Sequence, residues 1–411
     1  MSKFPLIVAS LALVSAMTVN AASAGESSLA VSDWGKLPTG EVLKQFKLTN
    51  DNGMTVTISN LGALITSICV PDKTGKIEDV TLGFDTFEPY LSTDCPYFGA
   101  VVGRYGNRIG KGQFTIDGQT FNLTKNENGK QTLHGGNIGF NKKVWTVEEV
   151  TIANRPADMS EEDAKAVIGL KLTMKSADGE EGFPGNLDVA VYYLLCRKSN
   201  TLIIAYGAKT DKPTHVNLTQ HSYFNLKGQG NGNILDQELQ IFADKMTPVD
   251  ADLITTGEFR DVTGTPFDFR QATVIGKRID DVSDEQIKLG GGYDHNFVLN
   301  EVPVQTDKGE NAHFHFRPAA VVRDPASGRQ MRVFTTEPGV QFYAGNFLPL
   351  EKTLAGKAGK AGKVYERRAA LCLETQHFPD SPNKPNFPST LLKPGEIYKT
   401  ATVFHFSTDS K

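Results

Sequence analysis

The chain has 411 residues, 22% charged and 39% hydrophobic, and its 43 basic and 47 acidic side chains leave a formal net charge of −4. That balance is ordinary for a folded globular protein and excludes wholesale disorder. No basic excess is present to neutralise a phosphate backbone, which argues against nucleic acid as a partner.

The first segment stands apart from the rest. Lys3 precedes an uncharged, largely apolar run from Phe4 to Val19, and Ala22-Ser23-Ala24 then offers a small-x-small cleavage site before Gly25. This is the pattern of a secretory signal peptide, residues 1–24. A membrane anchor is the rival, but the apolar run is interrupted by Ser10 and Ser15 and falls short of the roughly 20 residues a spanning helix needs. The expected product is exported, periplasmic or secreted, and not stably inserted in a membrane after cleavage. Residues 25–40, rich in Ser and Gly, read as a loose N-terminal lead-in. Residues 41–407 read as one domain, since no linker or composition shift divides them.

Beyond that point short strand patterns dominate. Met54–Ser59 alternates, and Ala63–Val70 has the character of a buried strand. Asp117-Gly118, between Phe114–Ile116 and Gln119–Leu123, is a two-residue hairpin signal. Val144–Val150, Val167–Met174, Leu187–Leu195 and Thr201–Ala208 follow at hairpin-like spacing, and Ile397–Phe406 ends the series. Helical signal is confined to a capping box opening at Ser160, inside an apparent surface insertion at 154–165, and to Asp280–Lys288. The chain contains 24 Phe and 11 Tyr against 7 Met, which suits strands. The expected fold is a large all-β sandwich or barrel. Gly356–Lys363, built only of Gly, Lys and Ala, is expected to be a flexible, solvated loop. Cys69, Cys95, Cys196 and Cys372 form no CxxC. They read as buried thiols, with pairing left open by an oxidising destination.

Several polar groups stand in contexts that suit chemistry. His313 and His315 alternate on one strand face, but no third ligand supports a metal, and a solvated face is the expected reading. His221 lies in VNLTQHSYFNL, where hydrogen-bonding side chains crowd between apolar anchors. Such a cluster suits a sugar, and equally a satisfied core network. Glu374 follows the apolar run ALCL, and a half-buried carboxylate there gains basicity. Asp294 follows three glycines, and Arg108 can offer a forked donor.

Taken in order, these segments resemble the aldose 1-epimerase (galactose mutarotase) family. The stretches that carry the resemblance are NLGA from Asn60, YFGAVVGRYGNRI from Tyr97, LHGG from Leu133, DGEEGFPG from Asp178, Asn217–Leu226, TPVD from Thr247, YDHNF from Tyr293, PGVQFYAGNFL from Pro338 and CLETQ from Cys372. Gly106 and Gln220 depart from the Ala and Asn usual there. The resemblance implies a large antiparallel β-supersandwich with few short helices, acting on free aldoses such as D-galactose and D-glucose. It implies Glu374 as general base and His221 as general acid. It maps Asn107, Arg108, His134, Ser222, Tyr223, Asp294 and Gln341 to sugar binding, with no metal or cofactor, in a monomer or dimer. Asp294 is expected beside His221, supporting its protonated form. The alternatives are a glycoside hydrolase using Asp294 and Glu374, a non-catalytic sugar-binding sandwich, and a sugar-phosphate epimerase, for which Arg104 and Arg108 are the available cations.

Overall fold

The computed structural model describes residues 26–93, 95–156, 159–301, 316–348 and 359–409. Three antiparallel sheets form its frame. The N-terminal sheet runs in chain order through Ser28–Lys36, Val42–Thr49, Thr55–Ser59, Ile65–Pro71 and Ile77–Asp79. A nine-stranded sheet is ordered Thr146–Glu149, Val167–Ser176, Leu187–Cys196, Thr201–Thr210, Tyr398–Thr408, Arg329–Thr335, Arg317–Arg323, Glu238–Ile241 and Thr273–Val274. The C-terminal strand thus closes between the chain's middle and its later hairpin. A five-stranded sheet is ordered Arg260–Asp261, Lys245–Thr247, Asp294–Val298, Gly339–Tyr343 and Cys372–Gln376.

Period-two alternation explains how the sheets share a core. Val56, Ile58 and Ile68 from the first sheet, Val189, Val191 and Tyr193 from the second, and Phe297, Val340, Phe342 and Leu373 from the third join one apolar cluster. Residues opposite one another across a ladder share a face. Pairing of Gln341 with Glu374 and of Asn296 with Gln341 therefore gathers polar side chains on the five-stranded sheet's other face. That polar face builds the site.

Most expected elements are present within a few residues. The hairpin Gln113–Ile116/Gln119–Asn122 turns at Asp117 and Gly118, with φ of 49° and 81°, the left-handed pair such a turn requires. Ser160 accepts a hydrogen bond from the Asp163 N–H and caps the helix Glu161–Lys165. Asp284 caps Glu285–Gly290 in the same way.

Three expectations change. Ser28–Lys36 is not a loose lead-in but a strand paired along its length with Val42–Thr49. Its alternation is masked in sequence because most of it is exposed; backbone pairing holds it along its length, with Leu29 and Trp34 partly buried against apolar clusters. The 154–165 insertion is not mere decoration. Met159 is buried in a satellite cluster with Ala190, Tyr192, Leu194 and Ala401, covering the outer face of the nine-stranded sheet. The described part of the Gly-Lys-Ala segment is anchored: Lys360 is buried, and its Nζ donates to the Thr66 carbonyl at 2.7 Å and to Asp79 Oδ2 at 2.5 Å. The signal segment, His313, His315 and the start of that loop lie outside the described residues. All four cysteines are free thiols.

Candidate active site

Short paired segments bring the site together. Thr219–His221 pairs with Ala100–Val102, and Arg108–Ile109 pairs with Thr132–Leu133. The second pairing sets Asn107 beside His134: the His134 N–H donates to the Asn107 carbonyl at 3.0 Å, and the Asn107 N–H returns a bond to His134 Nδ1 at 3.2 Å. Close approach is a requirement here. A Cβ on Gly135, whose φ is +87°, would lie 2.0 Å from the Gly103 carbonyl oxygen. Gln220, longer than the usual Asn, uses its amide as a bracket, donating to the Gly99 carbonyl at 2.7 Å and accepting from the Ser222 N–H at 2.7 Å.

These segments enclose a cavity of about 700 Å³ whose walls include Tyr97, Asn107, Arg108, His134, His221, Tyr223, Asp294 and Glu374. Tyr97, Asn107 and His134 adopt left-handed φ values of 61°, 61° and 50°, conformations costly for residues with side chains and concentrated at functional sites. The His221 imidazole is stacked on Tyr223 (5.1 Å, 20°) and Tyr97 (5.8 Å, 26°). Its Nε2 lies 3.6 Å from Glu374 Oε2. Both side chains are buried, and Glu374 Oε2 has no hydrogen-bond partner among the described residues.

Burial sets the protonation of this group. It pushes the Glu374 carboxyl well above its usual range, helped by Asp294 and opposed by Arg108. It draws His221 down to about 4. It also raises Asp294, against the pull of Arg108 and the hydrogen bond that Gln341 Nε2 donates to Asp294 Oδ1 at 2.8 Å. His134 falls well below its usual value through burial and the neighbouring His221 and Arg108. Arg108 is raised despite burial, because Glu127 accepts from its Nε and Nη2 at 2.7 Å each.

Asp294 lines the same cavity as His221. Its field acts on Glu374 and Arg108, and the anion facing His221 is Glu374 itself. Ser222 and Gln341 do not line the cavity; Gln341 stands behind Asp294, and Ser222 Oγ is buried without a partner among the described residues. His295 turns to the opposite strand face and packs on Phe267. Arg104 is buried against the Pro184, Gly185 and Ala177 carbonyls, away from the cavity. Tyr97, Asn126 and Glu127 line the cavity without having been singled out. Asn126 and Glu127 sit in a polar loop, KNENGK, whose pattern is that of any exposed turn.

Donor atoms of His134, His221 and Glu374 lie within 4.8 Å of one another, a spacing to be tested against a metal. Because His134 Nδ1 accepts the Asn107 N–H, the neutral ring carries its proton on Nε2. That nitrogen is a donor to the cavity, not a metal ligand. The set fits a polyol better than a cation.

Comparison with known proteins gives the family and the fold. The aldose 1-epimerase family profile matches residues 44–405. The chain belongs to the aldose 1-epimerase family. It is 44% identical to the galactose mutarotase of Mus musculus over 375 residues, 91% of this chain and 97% of that one. It is 35% identical to the aldose 1-epimerase of Escherichia coli (strain K12), covering 90% and 96% of the two chains. Among solved structures, the galactose 1-epimerase of Lactobacillus acidophilus NCFM superposes with a TM-score of 0.75 at 26% identity, covering 94% of this chain and all of that one. The fold is thus that of this aldose 1-epimerase family, an antiparallel all-β supersandwich with three short helices among the described residues.

Proposed function

We infer that the protein is an aldose 1-epimerase that interconverts the α and β anomers of free aldoses such as D-galactose and D-glucose. The observation that carries the reading is the buried Glu374–His221 pair, 3.6 Å apart, on the wall of a cavity that it shares with Asn107, Arg108, His134 and Asp294.

The pair works with one proton. Glu374 as carboxylate takes the proton of the anomeric hydroxyl while His221 as imidazolium gives its Nε2 proton to the ring oxygen. The C1–O5 bond breaks, the electrons of the O1–H bond form the carbonyl, and the open chain lies beside a neutral carboxylic acid and a neutral imidazole. Burial favours that neutral pair over the charged one, so the open-chain stage holds the pair in its preferred form and the carboxylate–imidazolium pair is the minor form of the resting site. Rotation about C1–C2 presents the other carbonyl face. The O5 hydroxyl attacks C1, its proton returns to His221, and Glu374 protonates O1. The starting pair is restored with no net proton or electron exchanged.

His134, as an Nε2 donor, and Arg108, fixed by Glu127, would hold sugar hydroxyls, with Asn107 and Asp294 beside them. Tyr97 and Tyr223 keep the imidazole plane fixed. A hydrolase would call for Asp294 to work with Glu374 across the bond; the group that faces Glu374 at 3.6 Å is instead the His221 imidazole. Polarimetry of fresh α-D-glucose and α-D-galactose tests the reading. Catalysed approach to the anomeric equilibrium is expected, and rates equal to the buffer blank for both sugars would refute it.

Export is proposed from the Lys3, Phe4–Val19 and Ala22-Ser23-Ala24 pattern. No helix among the described residues is long and apolar enough to cross a membrane. N-terminal sequencing of the mature protein should begin at Gly25; an intact Met1 on membrane-bound material would favour an anchor.

A further inference from the structure

One strand grips both nitrogens of one imidazole. Cys372 and Glu374 are two residues apart on Cys372–Gln376 and so share a face. Glu374 Oε2 faces His221 Nε2 at 3.6 Å, and Cys372 Sγ faces His221 Nδ1 at 3.6 Å. Tyr97 and Tyr223 both stack on the imidazole, so its plane is held and the placing of its protons is what remains to be set.

We propose that Cys372 is a positioning residue for the acid–base pair: its sulfur accepts the Nδ1 proton of His221, leaving Nε2 as the nitrogen that exchanges a proton with the sugar. The proposal rests on the acid–base reading above. The reaction demands this arrangement. If Nδ1 were bare, the neutral ring would carry its proton on Nε2, and that nitrogen could not take back the O5 proton on closure. With Nδ1–H held, Nε2 cycles between bearing and lacking a proton.

The surroundings agree. The Cys372 thiol is fully buried and pushed well above its usual range by burial and by Glu374 and Asp294, so it stays neutral. A neutral sulfur is a weak acceptor. It orients the ring without stabilising imidazolium as a carboxylate in its place would, and so leaves His221 acidic.

The test combines ¹⁵N NMR of histidine-labelled protein, with His221 assigned by loss of its signals in His221→Asn, and polarimetric kinetics of wild type, Cys372→Ser and Cys372→Ala. Wild type should show His221 with Nδ1 protonated. Cys372→Ala should shift proton occupancy towards Nε2 and lower kcat roughly 3- to 10-fold, the worth of one neutral hydrogen bond, with KM little changed. Cys372→Ser, which restores an acceptor, should recover most of the loss. A bare Nδ1 in wild type, or a Cys372→Ala enzyme with wild-type kcat and an unchanged Nδ1–H, would overturn the proposal. The wild-type spectrum alone decides it if the variants fail to fold. A wild type with Nδ1–H that turns over no aldose would instead defeat the functional reading and leave the thiol contact intact.

Discussion

Two strands of this protein are buried almost completely and are used in opposite ways. Leu187–Cys196, inside the nine-stranded sheet, sends Leu187, Val189, Val191, Tyr193 and Leu195 into the main core and Ala190, Tyr192, Leu194 and Cys196 into the satellite core. The Tyr193 hydroxyl donates to the Ala63 carbonyl at 2.6 Å. Cys372–Gln376, at the edge of the five-stranded sheet, sends Leu373 to the main core but turns Cys372, Glu374 and Gln376 the other way. There Glu374 Oε2, both Gln376 side-chain polar atoms, Gln341 Oε1 and Asn296 Oδ1 have no hydrogen-bond partner among the described residues. Burial alone does not mark function. What sets Cys372–Gln376 apart is that its open polar atoms gather on the one sheet face that forms a cavity wall, where buried polar groups are ordinarily satisfied.

The comparison breaks if substitutions in the two strands have like effects. The largest effect is expected from Glu374→Gln combined with His221→Asn. Each single change should lower kcat by roughly 10²–10⁴-fold, and the pair should be little worse than the poorer single, because the two groups act in one concerted step. Multiplicative losses in the double variant would show that they act separately. Leu194→Ala should do the reverse, costing about 2–5 kcal/mol of stability in denaturant melts while turnover per folded molecule stays at the wild-type level.

Arg108→Ala sharpens the division between binding and chemistry. Loss of a charged donor should raise KM roughly 10- to 100-fold with a smaller change in kcat. Glu127 then lacks the guanidinium it faces, so a fall in melting temperature should accompany it. Equal losses in kcat and kcat/KM would give Arg108 a role in the transition state instead.

The smallest effects concern pH. The pair is active with one proton, so kcat/KM should fall as pH drops through about 4, where His221 accepts a second proton. It should also fall at high pH, as the raised Glu374 loses the last one. Asp294 raises Glu374, so Asp294→Asn should move the alkaline limb to lower pH; an unmoved limb would remove Asp294 from the circuit. For stability, His215 and His221 are drawn down to about 4, chiefly by burial, and His295 to about 3. A histidine buried neutral is protonated more readily in the unfolded chain. Stability should therefore be intact above the ordinary value of 6.5 and decline as pH falls below it. His377 has the opposite sign, being raised by Glu337 against the effect of its burial. Its contribution is full below 6.5 and is lost as pH rises through its folded value.

The strand pattern was legible because alternation and turn chemistry are local. Asp117-Gly118 announces its hairpin and Ser160 its helix. Ser28–Lys36 was not, since a mostly exposed strand held largely by backbone pairing shows no regular apolar alternation. In the site, Glu374 and His221 stood out as polar groups against apolar runs. Their separation of 153 residues hid which group faces which. Glu127 and Asn126 gave no signal because their roles exist only through tertiary contact with Arg108 and the LHGG turn. Cys372 looked like a core thiol, which by burial it is; only the position of His221 Nδ1 gives it another part.

The most direct test is the turnover of fresh α-D-galactose, followed by polarimetry, for wild type and Glu374→Gln side by side, each verified as folded by circular dichroism. Glu374→Gln keeps the size and reach of the side chain and removes its basicity. A folded variant that has lost roughly two orders of magnitude or more in kcat is the expected result. Near-normal turnover in folded Glu374→Gln would contradict the account.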